Sequence, residues 1–183
     1  MPVSSRTVIS HLMVQVVVTG KYSDDLTFNG SGSLSVTGKN SDAIKSNKGI
    51  KFVKGTVTIP NAVQKGIKAI DSVCINDGSI INVNSIFLKL PKKTDPEKAH
   101  IVIDGGKITI STKKEGIHAE IYFTVKGGSI NIKESEEGME GQMVDILGSE
   151  HHIIAAHDGI YAARVGNITD LLAELMPIPE DRS

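Results

Sequence analysis

One short phrase returns along this chain at a nearly constant interval, and it constrains the fold more than any other feature. Clear copies occupy residues 41–47 (SDAIKSN), 64–70 (QKGIKAI), 114–120 (KEGIHAE), 136–142 (EEGMEGQ) and 157–163 (HDGIYAA), and a fainter copy occupies residues 85–91 (SIFLKLP). Each copy has one apolar marker residue, and successive markers are 23, 21, 29, 22 and 21 residues apart: Ile44, Ile67, Leu88, Ile117, Met139 and Ile160. A period of this length indicates a repeat architecture in which each unit stacks on the next.

Each repeat has strand signals on both sides of the phrase. Apolar and polar residues alternate before it, as in VTI at 57–59 and ITI at 108–110, and after it, as in IKF at 50–52 and FTV at 123–125. Turns with glycine separate these runs, at Gly55, Gly78, Gly106, Gly128 and Gly148. Short alternating runs that are rich in β-branched residues and bounded by glycine are typical of strands and turns. Three strands per repeat predict an all-β fold, a single-stranded parallel β-helix with coils of about 21–23 residues.

We expect one domain over residues 1–183. Residues 1–21 form an N-terminal coil or cap, residues 22–165 form the repeat coils, and residues 91–99 are a loop inserted into one coil. Residues 166–183 are predicted to cap the last coil, with a helix over 167–176 for which Thr169 is the N-cap. Pro177 ends this helix. A cap is expected because an uncovered end coil presents a strand edge that can pair with another chain, which would allow end-to-end self-association.

Composition argues against several classes of protein. A formal net charge of −1 gives no electrostatic reason to expect a nucleic-acid partner. The apolar stretch over residues 8–18 is too short to span a membrane. One cysteine, Cys74, excludes an intrachain disulfide. Because aromatic residues make up only 4% of the chain, the core has to be built from stacked isoleucine and valine.

Residues 26–46 and 148–162, together with the repeated phrase, resemble the clostridial-type carbohydrate-binding parallel β-helix proteins, and the resemblance covers about residues 22–163. It implies a right-handed β-helix that is extracellular or at the cell surface and is similar in shape to pectate lyases. It also implies calcium sites and binding of cellulose or acidic pectic polysaccharide, with no established lyase activity. The family's Asp-Asp-Gly-Ile phrase is altered in most repeats here, and only residues 157–160 approach it.

Stacking predicts a column of charged side chains just before the marker residues. Equivalent positions in successive coils lie about 4.8 Å apart. Glu115, Glu137 and Asp158 therefore occupy consecutive rungs, and in an earlier coil Lys65 can neutralise Asp42. Calcium takes six to eight oxygen ligands, so the sequence offers a calcium site on Asp42, Glu115, Glu137 and Asp158. The alternative is that these carboxylates project into water.

A second column directly follows the marker residues and faces outward. It contains Lys45, Lys68, Lys89, His118, Glu140 and Tyr161. Lysines could pair with the carboxylates of uronate units, and Tyr161 could stack on a sugar face. We take Lys45, Lys68, Lys89, His118 and Tyr161 as candidate residues for binding a polysaccharide. A salt-bridged surface ladder is the alternative, and it would contribute about 0–1 kcal/mol per pair.

The sequence assigns no catalytic residue. His151, His152 and His157 are close in sequence, but alternation directs His151 into the core and His152 outward. Three hypotheses follow: a non-catalytic extracellular carbohydrate-binding β-helix, a filament-forming structural solenoid, and a calcium-dependent polysaccharide lyase. The first is preferred because the stripe of outward cations suits an extended chain.

Overall fold

The computed structural model describes residues 18–20, 25–88, 100–163 and 171–175. Their strands, in chain order, are β1 (Val18–Gly20), β2 (Leu26–Phe28), β3 (Ser33–Gly38), β4 (Ile44–Ser46), β5 (Ile50–Phe52), β6 (Gly55–Ala62), β7 (Ile67–Ala69), β8 (Ser72–Ile75), β9 (Ser79–Val83), β10 (Ile86–Leu88), β11 (His100–Ile103), β12 (Lys107–Ile110), β13 (Ile117–Ala119), β14 (Tyr122–Val125), β15 (Ser129–Ile132), β16 (Met139–Gly141), β17 (Met143–Ile146), β18 (Ser149–Ile153), β19 (Ile160–Ala162) and β20 (Leu171–Leu175). No helix occurs among these residues.

The strands form three parallel sheets that wrap around one axis, which confirms the predicted β-solenoid. Sheet A has the order β1-β4-β7-β10-β13-β16-β19, sheet B the order β2-β5-β8-β11-β14-β17, and sheet C the order β3-β6-β9-β12-β15-β18-β20. Consecutive strands of the chain lie in different sheets, and from β4 to β19 each strand pairs in parallel with the strand three before it. Each coil from β1 to β18 thus contributes one strand to each sheet, and β20 pairs with β18 in sheet C.

The interior consists of apolar columns, as the alternation predicts. In sheet C, Ile108 is fully buried between its register partners Ile81 and Ile130. Each buried isoleucine stabilises the fold by about 1.5–3 kcal/mol relative to an exposed one. The three sheets supply the columns Ile44, Ile67, Ile86, Ile117 and Met139; Ile50, Val73, Ile101, Phe123 and Val144; and Val57, Ile81, Ile108 and Ile130.

Glycine is required at the corner that precedes sheet C. Gly106 and Gly128 have φ angles of 89° and 95°, in the left-handed region that side chains disfavour. A Cβ on Gly128 would also lie 2.6 Å from the carbonyl oxygen of Gly106 in the preceding coil. Gly55 and Gly78 occupy the same corner with positive φ, so four of the five glycine turns predicted from the sequence share this backbone geometry, and Gly148 does not.

The predicted C-terminal helix is wrong over the residues that the structure describes. Leu171–Leu175 form strand β20, which pairs in parallel with β18 along its whole length. The open edge of sheet C offers unpaired backbone N–H and C=O groups, and a strand satisfies these whereas a helix would not. The rest of the predicted cap, the inserted loop at 91–99 and most of the N-terminal coil lie outside the described residues. Within the described chain, no helix is long and apolar enough to cross a membrane.

Candidate functional site

The outward stripe on sheet A exists, with one correction. Strand pairing aligns Lys45 with Lys68, His118 with Glu140, and Glu140 with Tyr161. Between Lys68 and His118, however, the register places Phe87 and not Lys89. Lys89 itself lies outside the described residues. The stripe thus lacks its predicted third lysine.

The correction has a simple cause in the length of one corner. Only residues 84–85 join β9 to β10, whereas residues 111–116 join β12 to β13 and residues 133–138 join β15 to β16. The short corner brings Ile86, rather than Leu88, between Ile67 and Ile117. Both Ile86 and Leu88 are apolar, so either register satisfies the inward alternation, and the sequence alone does not distinguish them.

Most charges on the sheet A stripe are paired within the protein. Lys68 Nζ lies 3.7 Å from Asp42 Oδ2, and His118 Nδ1 lies 2.7 Å from Glu140 Oε2. Lys45 and Tyr161 are exposed. The stripe therefore agrees with the salt-bridged ladder at Lys68 and His118. Among its described side chains, Lys45 and Tyr161 at the two ends are exposed to a ligand.

The charged column before the marker residues is also formed, but with different pairing. The side chain of Lys65 pairs with Glu115, with 2.7 Å between Nζ and Oε2, and its backbone N–H donates to Asp42 Oδ1 at 3.1 Å. The short corner puts Asn84, rather than Ile86, in the rung between Lys65 and Glu115. Lys65 consequently reaches across one whole coil to its partner.

The pKa values of two carboxylates in this column, Glu115 and Glu137, are shifted in opposite directions. Burial alone would raise the pKa of Glu115, but the hydrogen bond and charge of Lys65 lower it below its usual value. The pKa of Glu137 is raised by burial, by a hydrogen bond with Glu140, and by the negative charges of Glu140, Glu115 and Asp158. Glu137, Glu140 and Asp158 thus lie close enough to repel one another.

The described structure does not gather these carboxylates into a cation site. In the described part of the chain, no group of three or more His, Cys, Asp or Glu side chains is arranged to hold a metal ion. Calcium needs six to eight oxygen ligands, and Asp42 and Glu115 are already committed to lysines. Calcium binding stays a prediction of the sequence.

Sheet C carries an outward ladder that the sequence analysis did not single out. Its members have uncharged hydroxyl or amide side chains over four successive strands, and a histidine on the fifth: Thr58, Asn82, Thr109, Asn131 and His152. All five are half-buried. The middle residues of VTI at 57–59, ITI at 108–110 and INI at 130–132 were the available signal, because alternation requires them to face outward.

A cleft lies on this face beside the short corner. Its volume is about 290 Å³, close to the lower end of the range for small-ligand sites, about 300–1,000 Å³. It is lined by residues of β6, β9 and β12 and of the corners that follow β9, β12 and β15: Thr58, Ile59, Pro60, Asn82, Val83, Asn84, Thr109, Ser111 and Lys133. The cleft results from the missing corner residues, since longer corners flank it on both sides.

The ion pair between Lys65 and Glu115 spans the gap left by the short corner. Its two side chains are 17% and 33% exposed, and the coil that they bridge contributes Asn84 and Ser85. Ser85 is buried, and its Oγ accepts a hydrogen bond from the Gly66 backbone N–H at 3.3 Å. The ion pair and this hydrogen bond therefore hold the short corner in place on the side that faces sheet A.

Comparison with known proteins matches most of the chain to a family model. A family model described as "Carbohydrate-binding domain-containing protein" matches residues 19–170. No curated protein and no solved structure shows a significant match to the chain. The matched segment runs from β1 to the residues that precede β20, and it includes both outward faces described above.

Proposed function

The chain belongs to the carbohydrate-binding domain-containing protein family, and from this premise we propose that it is a non-catalytic module that binds an extended polysaccharide along the outside of the solenoid. Binding is the activity that the family description names. The match covers the repeat coils as a set, which favours a ligand that contacts several coils. An extracellular location follows from the proposal, because structural polysaccharides lie outside cells.

The observation that carries the proposal is the outward ladder of sheet C. Hydroxyl and amide groups recur about every 4.8 Å along the axis, which is close to the length of one sugar unit in an extended chain. Hydroxyls and amides both donate and accept hydrogen bonds, as sugar hydroxyls do. A chain that lies parallel to the axis would therefore meet a similar set of partners at each rung.

The charge distribution favours an uncharged polysaccharide over an acidic one. On the sheet A stripe, Lys68 is paired with Asp42, and Phe87 stands where a third lysine was predicted. Among the described lysines of this stripe Lys45 remains exposed, and a single exposed charge gives little attraction at physiological salt. Cellulosic chains thus fit the described part of the sheet A stripe better than pectic chains, which carry a carboxylate on each unit.

Retention of the purified protein on insoluble polysaccharides tests the proposal. We expect the protein to bind cellulose in the presence or absence of a calcium chelator, to bind immobilised polygalacturonate more weakly, and to release no unsaturated product. An unrelated β-solenoid of similar charge serves as a control for non-specific adsorption. Absence of retention on every polysaccharide would contradict the proposed function, and unsaturated uronide in the supernatant would identify a lyase. Loss of binding with the chelator would support the predicted calcium dependence.

A further inference from the structure

The cleft on sheet C differs from the stripe on sheet A because three of its polar side chains have no hydrogen-bonding partner within the described chain. Thr58, Asn82 and Thr109 are half-buried, and within the described chain their side chains make no hydrogen bond. Lys133 is exposed, and no carboxylate lies among the residues that line the cleft. The side chains of Thr58, Asn82 and Thr109 are therefore available to bind a ligand, in contrast to Lys68 and His118 on sheet A.

The cleft is lined on two sides. Thr58, Asn82 and Thr109 are register partners on β6, β9 and β12 and line one side. Pro60 of β6 and the corner residues Asn84 and Ser111, each two positions further along the chain, line the other. Pro60 gives part of the wall an apolar face.

We propose that this cleft is the subsite that anchors the polysaccharide, and that it holds an uncharged, hydroxyl-rich sugar unit through Thr58, Asn82 and Thr109. The inference rests on the proposed function and adds to it the place and the chemistry of binding. Two hydroxyls and one amide provide donors and acceptors for sugar hydroxyls. Lys133 donates to a hydroxyl oxygen at the mouth of the cleft. The chain then continues along sheet C past Asn131 and His152.

The strongest test removes two hydroxyl groups while keeping side-chain shape. In the double variant Thr58→Val and Thr109→Val, the cleft loses two hydrogen-bonding groups without a change of volume. The matched control is Thr27→Val with Thr124→Val, which alters outward threonines of sheet B. With a soluble β-linked glucose oligosaccharide, calorimetry should show affinity lowered about 10- to 30-fold by the cleft variant, since each neutral hydrogen bond contributes about 1 kcal/mol. The control should bind like the wild type.

Two further variants keep the outcome decisive. Asn82→Leu has nearly the same volume and removes a donor and an acceptor, so we expect a similar loss; circular dichroism establishes that each variant is folded. Lys133→Met should weaken glucose oligosaccharide binding no more than about 10-fold.

Each result bears on the site or on the proposed function separately. Wild-type binding that survives in the cleft variants would overturn the subsite and leave the proposed function intact. Stronger binding of a galacturonate oligosaccharide of the same length, abolished by Lys133→Met, would overturn the assignment of an uncharged sugar. If the wild type binds no oligosaccharide and no insoluble polysaccharide, the proposed function fails and the subsite fails with it.

Discussion

Replacing Ile108 with Asp should lower the free energy of unfolding by about 4 kcal/mol or more, whereas Lys107→Asp, one residue away, should change it by less than about 1 kcal/mol. Ile108 is fully buried between Ile81 and Ile130. A carboxylate there would either stay charged without a partner or take up a proton at a cost. Lys107 is exposed on the same strand, so the same new side chain would remain in water.

Urea denaturation followed by far-UV circular dichroism measures both effects. A loss of about 4 kcal/mol removes a large part of the stability of a typical domain, about 5–15 kcal/mol, so the Ile108→Asp variant should unfold at a much lower urea concentration than the wild type. Ile108→Val provides a second reference and should lose only about 0.5–1.5 kcal/mol. Equal destabilisation by the two Asp variants would mean that the assignment of inward and outward positions is wrong.

The fold could be predicted because its information is local and repeated. Alternation within four or five residues determines which side chains enter the core, and recurrence of the phrase determines how many coils stack. The marker positions Ile44, Ile67, Ile117 and Met139 are all fully buried. The positions of the glycine turns could also be predicted, because a left-handed backbone conformation such as that of Gly128 accepts few other residues.

Two predictions were wrong because the local sequence pattern was not enough to decide them. At residues 86–88, two apolar residues with one between them fit the inward pattern in either register, and the length of the corner decided for Ile86. At residues 171–175, the leucines fit one face of a helix, but the open edge of β18 makes a strand more favourable. In both places a contact with the neighbouring coil outweighs the pattern within the segment.

The candidate site was harder to predict than the fold for the same reason. The ion pair of Lys65 with Glu115 joins residues 50 apart in sequence and depends on the coil between them being short. The cleft beside Thr58, Asn82 and Thr109 arises from the same short corner. Neither feature is visible until the register of that coil is known, although the polar residues themselves are visible in each strand.

One buried polar side chain, predicted to point inward, should make stability depend on pH. His151 is 3% exposed and follows Ile130 in the inner column of sheet C. Its ring hydrogen-bonds through Nε2 to Ser149 Oγ, and Nδ1 has no partner in the described chain. Burial lowers the pKa of His151 below its usual value of 6.5, because the interior disfavours the charged ring.

The sign of the effect follows from which state binds the proton more tightly. As the pH falls through 6.5, the unfolded chain takes up a proton at His151 before the folded chain does, so unfolding is favoured. The stability due to the neutral ring is therefore fully present above pH 6.5 and is lost below it, until the pH passes the folded-state pKa.

His151→Ile should remove this dependence and stabilise the protein, because isoleucine continues the column and leaves no buried nitrogen unpaired. We expect a gain of about 1–3 kcal/mol, larger at about pH 5 than at about pH 8. His152→Ile on the same strand, whose side chain faces outward, is the control and should retain the pH dependence of the wild type. The measurement is the urea midpoint of each variant across this pH range. If the midpoints of the wild type and of His151→Ile change with pH in parallel, the buried ring is not the group that responds to acid.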